Sequence, residues 1–158
     1  LLFMLLLLFF MTMPIIIGSL SNWLFPLMLM SSDLIFPRLN NFWFWLLMRS
    51  FMLMLMNMLL NNNINTGCTL YPPLINQNFI SLNFIIFSLH LNGISSIFSS
   101  INFISSIFII NYYYFFMNNL TLYICSIIIT TILLIFSIPI LSSAITMIIL
   151  DNNLNMNF

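Results

Sequence analysis

The groups that could do chemistry are few in this chain of 158 residues. It contains two aspartates, two arginines, two cysteines and a single histidine. His90 could bind a metal, but one imidazole without a second ligand nearby is a poor metal site, so we interpret it as a structural, hydrogen-bonded residue. Cys68 and Cys125 lack C-x-x-C spacing, and isolated thiols of this kind are predicted to be buried small hydrophobes.

Hydroxyl and amide side chains form a second candidate set, in an uncharged stretch that runs from Phe79 to Ile110. Six of them follow one another at steps of four, three, four, three and four residues: Ser88, Asn92, Ser95, Ser99, Asn102 and Ser106. This spacing places them on one seam of a helix, as in a left-handed helix pair. Because an unpaired polar group in lipid is costly, the seam is expected to face protein or water. It either allows close helix packing or forms part of a hydrophilic route, and for the seam as a whole we favour packing.

The elements that must position these groups are membrane helices. Hydrophobic residues make up 63% of the chain and charged residues only 3%, whereas a soluble domain has about a quarter of its residues charged. The composition therefore predicts an all-α integral membrane protein. A net charge near zero, without a basic patch, argues against binding of nucleic acid.

Four apolar stretches are predicted to cross the membrane as transmembrane helices, in a single membrane domain over residues 1–158. The predicted helices cover about residues 1–30, 42–60, 79–110 and 120–150. The polar runs 31–41 and 61–78 are interpreted as connections. Pro139 is predicted to kink the fourth helix. By the positive-inside rule, Arg38 and Arg49 place the first connection on the matrix or cytoplasmic side.

Several strings, in order along the chain, resemble cytochrome c oxidase subunit 1 of the haem–copper oxidase family. MPIIIG at 13–18 and SNWLFPLM at 21–28 look like its second helix, and DLIFPRLNN at 33–41 like its matrix-side loop. The resemblance continues through TG at 66–67, YPPL at 71–74, FSLHL at 87–91, GISSI at 93–97 and INFI at 101–104. It reaches IPIL at 138–141, AITM at 144–147 and the residues after Asp151. No single string is specific, but their succession is.

The resemblance implies a bundle of twelve transmembrane helices, of which this chain supplies the second to the fifth. It is then a piece of an enzyme, inactive alone, that passes electrons from cytochrome c to oxygen and pumps protons in the mitochondrial inner membrane. The implied cofactors are haem a, haem a3 and copper B, with ligands on other chains, because the low-spin haem ligand would fall at Phe3. The implied partners are other pieces of subunit 1, further oxidase subunits, cytochrome c and the lipid bilayer.

The resemblance also implies a proton pathway. Asp33 matches the acid at the mouth of the family's D pathway, and Asn22 and Asn40 match asparagines in its neck. Ser95 and Ser96 match serines further in. Such a route is physically coherent, because protons cross lipid only through chains of water and hydroxyl groups. The alternative is that Asp33 pairs with Arg38 and that the serines only allow close packing.

Departures from the family pattern leave parts of this expectation open. Trp43 stands where the family has a serine lining the route, and Cys68 where it has a tryptophan near the haem. Met48-Arg49 replace a proline pair, and Asn152 replaces an arginine. Two alternatives therefore stand beside the enzyme fragment: a catalytically silent membrane scaffold, and an unrelated multi-pass channel or transporter.

Overall fold

The computed structural model of the chain describes Phe10, Thr12, residues 14–59, residues 79–113, residues 121–154 and Met156. Every regular element in these ranges is a helix. A π-helical segment, Pro14–Leu20, continues into α1, Ser21–Leu29. The longer helices are α2, Pro37–Leu59, α3, Phe79–Tyr113, and α4, Leu122–Leu154.

Polar side chains satisfy the carbonyl groups of the π-helical segment. Ser21 Oγ donates to the carbonyl of Ile16 at 3.0 Å, and Asn22 Nδ2 donates to that of Gly18 at 2.6 Å. Wide helical turns of this type are rare and are found frequently at functional sites. The segment therefore owes its geometry partly to Asn22, one of the predicted route residues.

Helix α1 ends in a left-handed residue, Met30, with φ 51° and ψ 33°. The Met30 amide donates to the carbonyl of Leu27 at 3.4 Å, and the Ser31 amide donates to that of Pro26 at 3.0 Å. These bonds take up carbonyl groups that the end of a helix leaves without partners. The chain then runs without regular structure to Phe36.

Helix α2 begins earlier than the sequence predicted, at Pro37 rather than at Phe42. Proline is favoured at the first position of a helix, because its fixed φ suits the helix and its missing N–H would have no partner there. The Asn40 amide closes the first turn by donating to the Phe36 carbonyl at 3.1 Å. The polar run interpreted as a connection is therefore partly helical, and Asn40 lies in the first turn of α2.

Three helices are long and apolar enough to cross a membrane: α2, residues Ser81–Ile109 of α3, and α4. The shorter apolar helix Pro14–Leu29 covers part of the predicted first crossing, whose remainder lies outside the described residues. The connection 61–78 and residues 114–120, between α3 and α4, also lie outside them. Helix α4 continues through Pro139, and the predicted kink stays a prediction.

Helix α3 is the central element, because it packs against both α2 and α4. Two buried apolar clusters lie at opposite ends of it. One comprises Phe10, Met54, Leu82, Ile85, Ile86 and Ile145. The other comprises Phe25, Leu34, Phe103, Ile107, Ile124 and Ile127.

The polar seam of α3 runs along the same helix. Five of its six members are buried and Asn92 is half-buried, which confirms the prediction that the seam faces protein. The five are Ser88, Ser95, Ser99, Asn102 and Ser106.

Candidate functional site

The candidate site begins at Asp33, in the irregular segment between α1 and α2. Its side chain is exposed, whereas the next residue, Leu34, is buried in the second apolar cluster. Within the described ranges Asp33 forms no ion pair with Arg38, which is also exposed. This geometry gives no support to the alternative that Asp33 serves mainly to pair with Arg38.

Asn102 of α3 fixes the segment that carries Asp33. The Phe36 amide donates to Asn102 Oδ1 at 3.3 Å, and Asn102 Nδ2 donates to the Phe36 carbonyl at 3.4 Å. The Asn102 side chain is only 1% exposed, so these bonds are shielded from competing solvent. The sequence indicated Asn102 only as a seam member. Its link to residue 36 joins parts of the chain that no local pattern connects.

Asn22 and Asn40, predicted as neighbours on one route, contact each other directly. Asn22 Nδ2 donates to Asn40 Oδ1 at 3.0 Å. The Trp43 indole Nε1–H donates to the same oxygen at 2.6 Å. Both donors thus converge on one acceptor between α1 and the first turn of α2.

Ser95 and Ser96 lie further along, on α3. Ser95 Oγ donates to the Asn92 carbonyl at 2.7 Å, and Ser96 Oγ donates to the Gly93 carbonyl at 2.8 Å. Bonds of this kind to the preceding turn satisfy a hydroxyl proton within its own helix. They agree with a packing role, but each hydroxyl oxygen keeps a lone pair that water could use.

A cavity of about 860 Å³ lies between α2, α3 and α4, beside the π-helical segment. Its walls are mostly apolar, with hydroxyl groups from α3 and α4 among them. Ser95 and Ser96 line it, and so does Trp43. Asn22 and Asn40 do not line the cavity. The Trp43 indole lines it and also bonds to Asn40.

The predicted site residues therefore form separate groups. One hydrogen bond joins Asn22 to Asn40, and one cavity joins Ser95 to Ser96. In the described part of the chain no hydrogen bond links Asp33 to either asparagine, or an asparagine to either serine.

His90 also lines the cavity, and its predicted hydrogen-bonded role stays a prediction. Its Nε2 atom is buried, and none of the described residues is a hydrogen-bond partner for it.

The donor set does not fit a haem or copper site. His90 is the only histidine of the whole chain. Across residues 14–59, 79–113 and 121–154, no three His, Cys, Asp or Glu side chains come together as a metal site would need. Cys125 is a free, half-buried thiol in α4, and Cys68 lies outside the described residues. We therefore derive no chemical step through a metal on this chain.

Comparisons with known proteins point to one family. Residues 4–158 match the sequence model described as "Cytochrome C and Quinol oxidase polypeptide I". Cytochrome c oxidase subunit 1 of Eremothecium gossypii is 38% identical over 156 residues, which are 97% of this chain and 29% of that protein. The subunit 1 proteins of Mytilus edulis and Yarrowia lipolytica are 38% and 40% identical, over 98% and 97% of this chain. The chain spans somewhat more than a quarter of the length of these relatives.

Proposed function

The chain belongs to the cytochrome c and quinol oxidase polypeptide I family, and from this premise we propose that it forms part of the catalytic core subunit of cytochrome c oxidase. In that role it lies in the mitochondrial inner membrane as a multi-pass protein. The complete enzyme passes electrons from cytochrome c to oxygen and couples this transfer to proton pumping. Family membership excludes the alternative of an unrelated channel or transporter.

The proposed contribution of this chain is scaffold and the entrance of a proton pathway. The observation that carries the proposal is the direct bond between Asn22 and Asn40, at 3.0 Å, close to the segment that bears Asp33. Two amides meeting between α1 and α2 give a polar point that lipid would not tolerate without function or compensation. Asp33, exposed at the end of α1, would take protons from the aqueous phase.

Ser95 and Ser96 would continue the pathway on the cavity side of α3. Their oxygen atoms can accept a hydrogen bond from water while their protons bond the helix backbone. The cavity is large enough for several waters, since one water needs only about 30 Å³ of space. The pathway therefore has a collecting acid, a polar neck and a hydratable interior.

The redox centres belong to other parts of the assembly under this proposal. Haem a, haem a3 and copper B would be held by histidines outside this chain, whose single histidine cannot supply a ligand set. Other parts of subunit 1 and further oxidase subunits would cover the apolar surface that this chain leaves exposed, and the lipid bilayer would cover the rest.

The first prediction tests Asp33 in the assembled oxidase. Asp33→Asn removes the carboxylate and keeps the side-chain shape, so proton uptake and turnover with cytochrome c should fall at least several-fold. The matched control is Asp151→Asn in the last turn of α4, which should leave both rates unchanged. Equal rates for the Asp33 variant and the unmodified enzyme would overturn the assignment of a pathway entrance.

A catalytically silent scaffold is the second candidate, favoured by the poor donor set around His90. The two candidates differ in what accompanies the chain. Purification through an affinity tag on this chain should yield haem a and copper in stoichiometric amounts if it is part of the core subunit. A complex lacking both, or containing a second and complete subunit 1, would support the scaffold.

A further inference from the structure

We propose that Trp43 is a plug, which separates the asparagine pair from the serine-lined cavity and sets the rate at which water and protons pass between them. This inference deepens the proposed function and rests on it where proton uptake is concerned. Its claim that Trp43 limits access to the cavity can be tested without turnover of the oxidase.

The first support is the way the indole is held. Trp43 is 7% exposed, and its Nε1–H donates to Asn40 Oδ1 at 2.6 Å. Asn22 donates to the same oxygen, at 3.0 Å. Both donors bond to the same acceptor. The orientation of the indole is therefore fixed by its bond to the asparagine pair.

The second support is the surface on which the ring lies. Gly18, in the π-helical segment, faces the indole so closely that a Cβ atom placed there would collide with ring atoms of Trp43. Only glycine leaves room for the ring at this point. The indole is therefore packed between α2 and the π-helical segment, with little free space on that side.

The third support is that Trp43 also borders the cavity. Trp43 lines the same cavity as Ser95 and Ser96, whereas Asn22 and Asn40 do not reach it. The indole therefore contacts the asparagine pair and also lines the cavity that holds the serines.

The chemistry of the indole makes it a barrier at this position. A group that relays a proton must accept a hydrogen bond on one side and donate one on the other. The indole N–H is a donor only, and here it is already used by Asn40. The indole itself therefore cannot relay a proton, and a hydrogen-bonded chain of water would have to pass beside the ring.

The second prediction is measured in the assembled oxidase reconstituted into vesicles. Trp43→Ser removes the ring and supplies a hydroxyl, so proton uptake from the Asp33 face should rise several-fold. Trp43→Phe keeps an aromatic ring but loses the bond to Asn40, so its rate should rise less than that of the serine variant. An uptake rate that does not rise in the serine variant would overturn the plug.

Access to the cavity provides a second readout that does not depend on the oxidase reaction. Ser96→Cys places a thiol in the lining, and a small membrane-impermeant thiol reagent is added at the Asp33 face. Labelling of residue 96, measured by mass spectrometry, should be several-fold faster with Trp43→Ser than with Trp43 present. Trp45→Ser is the matched control, because Trp45 is 59% exposed on the same helix and should not change the rate.

The two readouts distinguish the plug from the proposed function. Faster labelling in the serine variant, with no effect of Asp33→Asn on uptake, would uphold the plug and overturn the proton pathway. Equal labelling rates with and without the ring, alongside slow uptake in Asp33→Asn, would overturn the plug and uphold the pathway.

Discussion

Two asparagines at the same depth of burial have opposite surroundings in this protein. Asn102 and Asn57 are each 1% exposed. Asn102 exchanges two hydrogen bonds with the backbone of Phe36. Asn57, in α2, has neither of its side-chain polar atoms bonded to any described residue. A buried polar group contributes to stability only when it is paired, and an unpaired one is destabilising.

The third prediction compares these two residues by the same substitution. Asn102→Leu should lower the free energy of unfolding by about 1 to 3 kcal/mol, because the backbone groups of Phe36 lose their partner. Asn57→Leu should be neutral or stabilising, since it removes an unpaired amide. The thermal midpoint of the purified complex reports both. Equal losses at the two positions would show that Asn57 has a partner beyond the described residues.

The sequence predicted that Asn102 lies on the seam of α3. It did not predict the difference between Asn102 and Asn57 of α2. Spacing along α3 is a local property, and it indicated correctly that Asn102 would lie on a buried face. The partner of Asn102 lies 66 positions away in the chain, so it depends on how α1, α2 and α3 pack. For the same reason the sequence did not predict the bond between Asn22 and Asn40, and only the family resemblance assigned both to one pathway.

At the scale of the element, α2 has a charge where a membrane helix rarely has one. The helix begins at Pro37, so Arg49 lies about 18 Å from that end and about 15 Å from Leu59, at 1.5 Å per residue. Both arginines are exposed. The sequence placed Arg49 near the start of the crossing, which supported the orientation. The structure places it near the middle, and Arg38 alone supports that argument.

The fourth prediction concerns membrane insertion of α2. Arg49→Leu should make insertion more favourable by about 2.5 to 3.5 kcal/mol, the cost of an arginine at the centre of a helix on insertion scales. Arg38→Leu, in the first turn, should change it little, because a side chain there reaches the interface. Glycosylation sites placed on either side of α2 measure the inserted fraction. A similar effect of the two substitutions on insertion would place Arg49 at the membrane–water interface.

At the scale of the whole molecule, the packing depends on how closely α4 approaches α3. A Cβ atom at Gly93 would come within 3.1 Å of Ile138 Cγ2, which is tighter than an ordinary van der Waals contact. Both residues also line the cavity. The spacing between the helices therefore decides how much room remains between them.

The fifth prediction is a double-mutant cycle across this contact. Gly93→Ala should cost about 1 kcal/mol or more through overpacking against Ile138, offset in part by the higher helix propensity of alanine. In an Ile138→Ala background, which lacks the opposing methyl, Gly93→Ala should lower the stability less, because the effects of substitutions at residues in contact are not additive. Ile94→Ala, at an exposed neighbour, serves as the control. If the changes in thermal midpoint were strictly additive, α3 and α4 would be able to move apart at this point without loss of stability.

Composition was sufficient for the class of protein, because hydropathy is a property of each helix taken alone. It was sufficient for the location of α3 and α4, whose apolar runs are long. It failed at the start of α2, because the polar run 31–41 was interpreted as a connection although its second half, from Pro37, is helical. The cavity beside Trp43 could not be predicted, since its walls come from four segments distant in the chain.

The depth of Arg49 has a consequence for an energised membrane. A charge near the middle of α2 senses about half of the transmembrane voltage, and a full crossing is worth about 2.3 kcal/mol per 100 mV. A potential of that size therefore exerts an electrical bias of about 1 kcal/mol on the guanidinium. On a membrane whose Asp33 face is negative, the bias pulls Arg49 towards the Pro37 end of the helix that also carries Trp43.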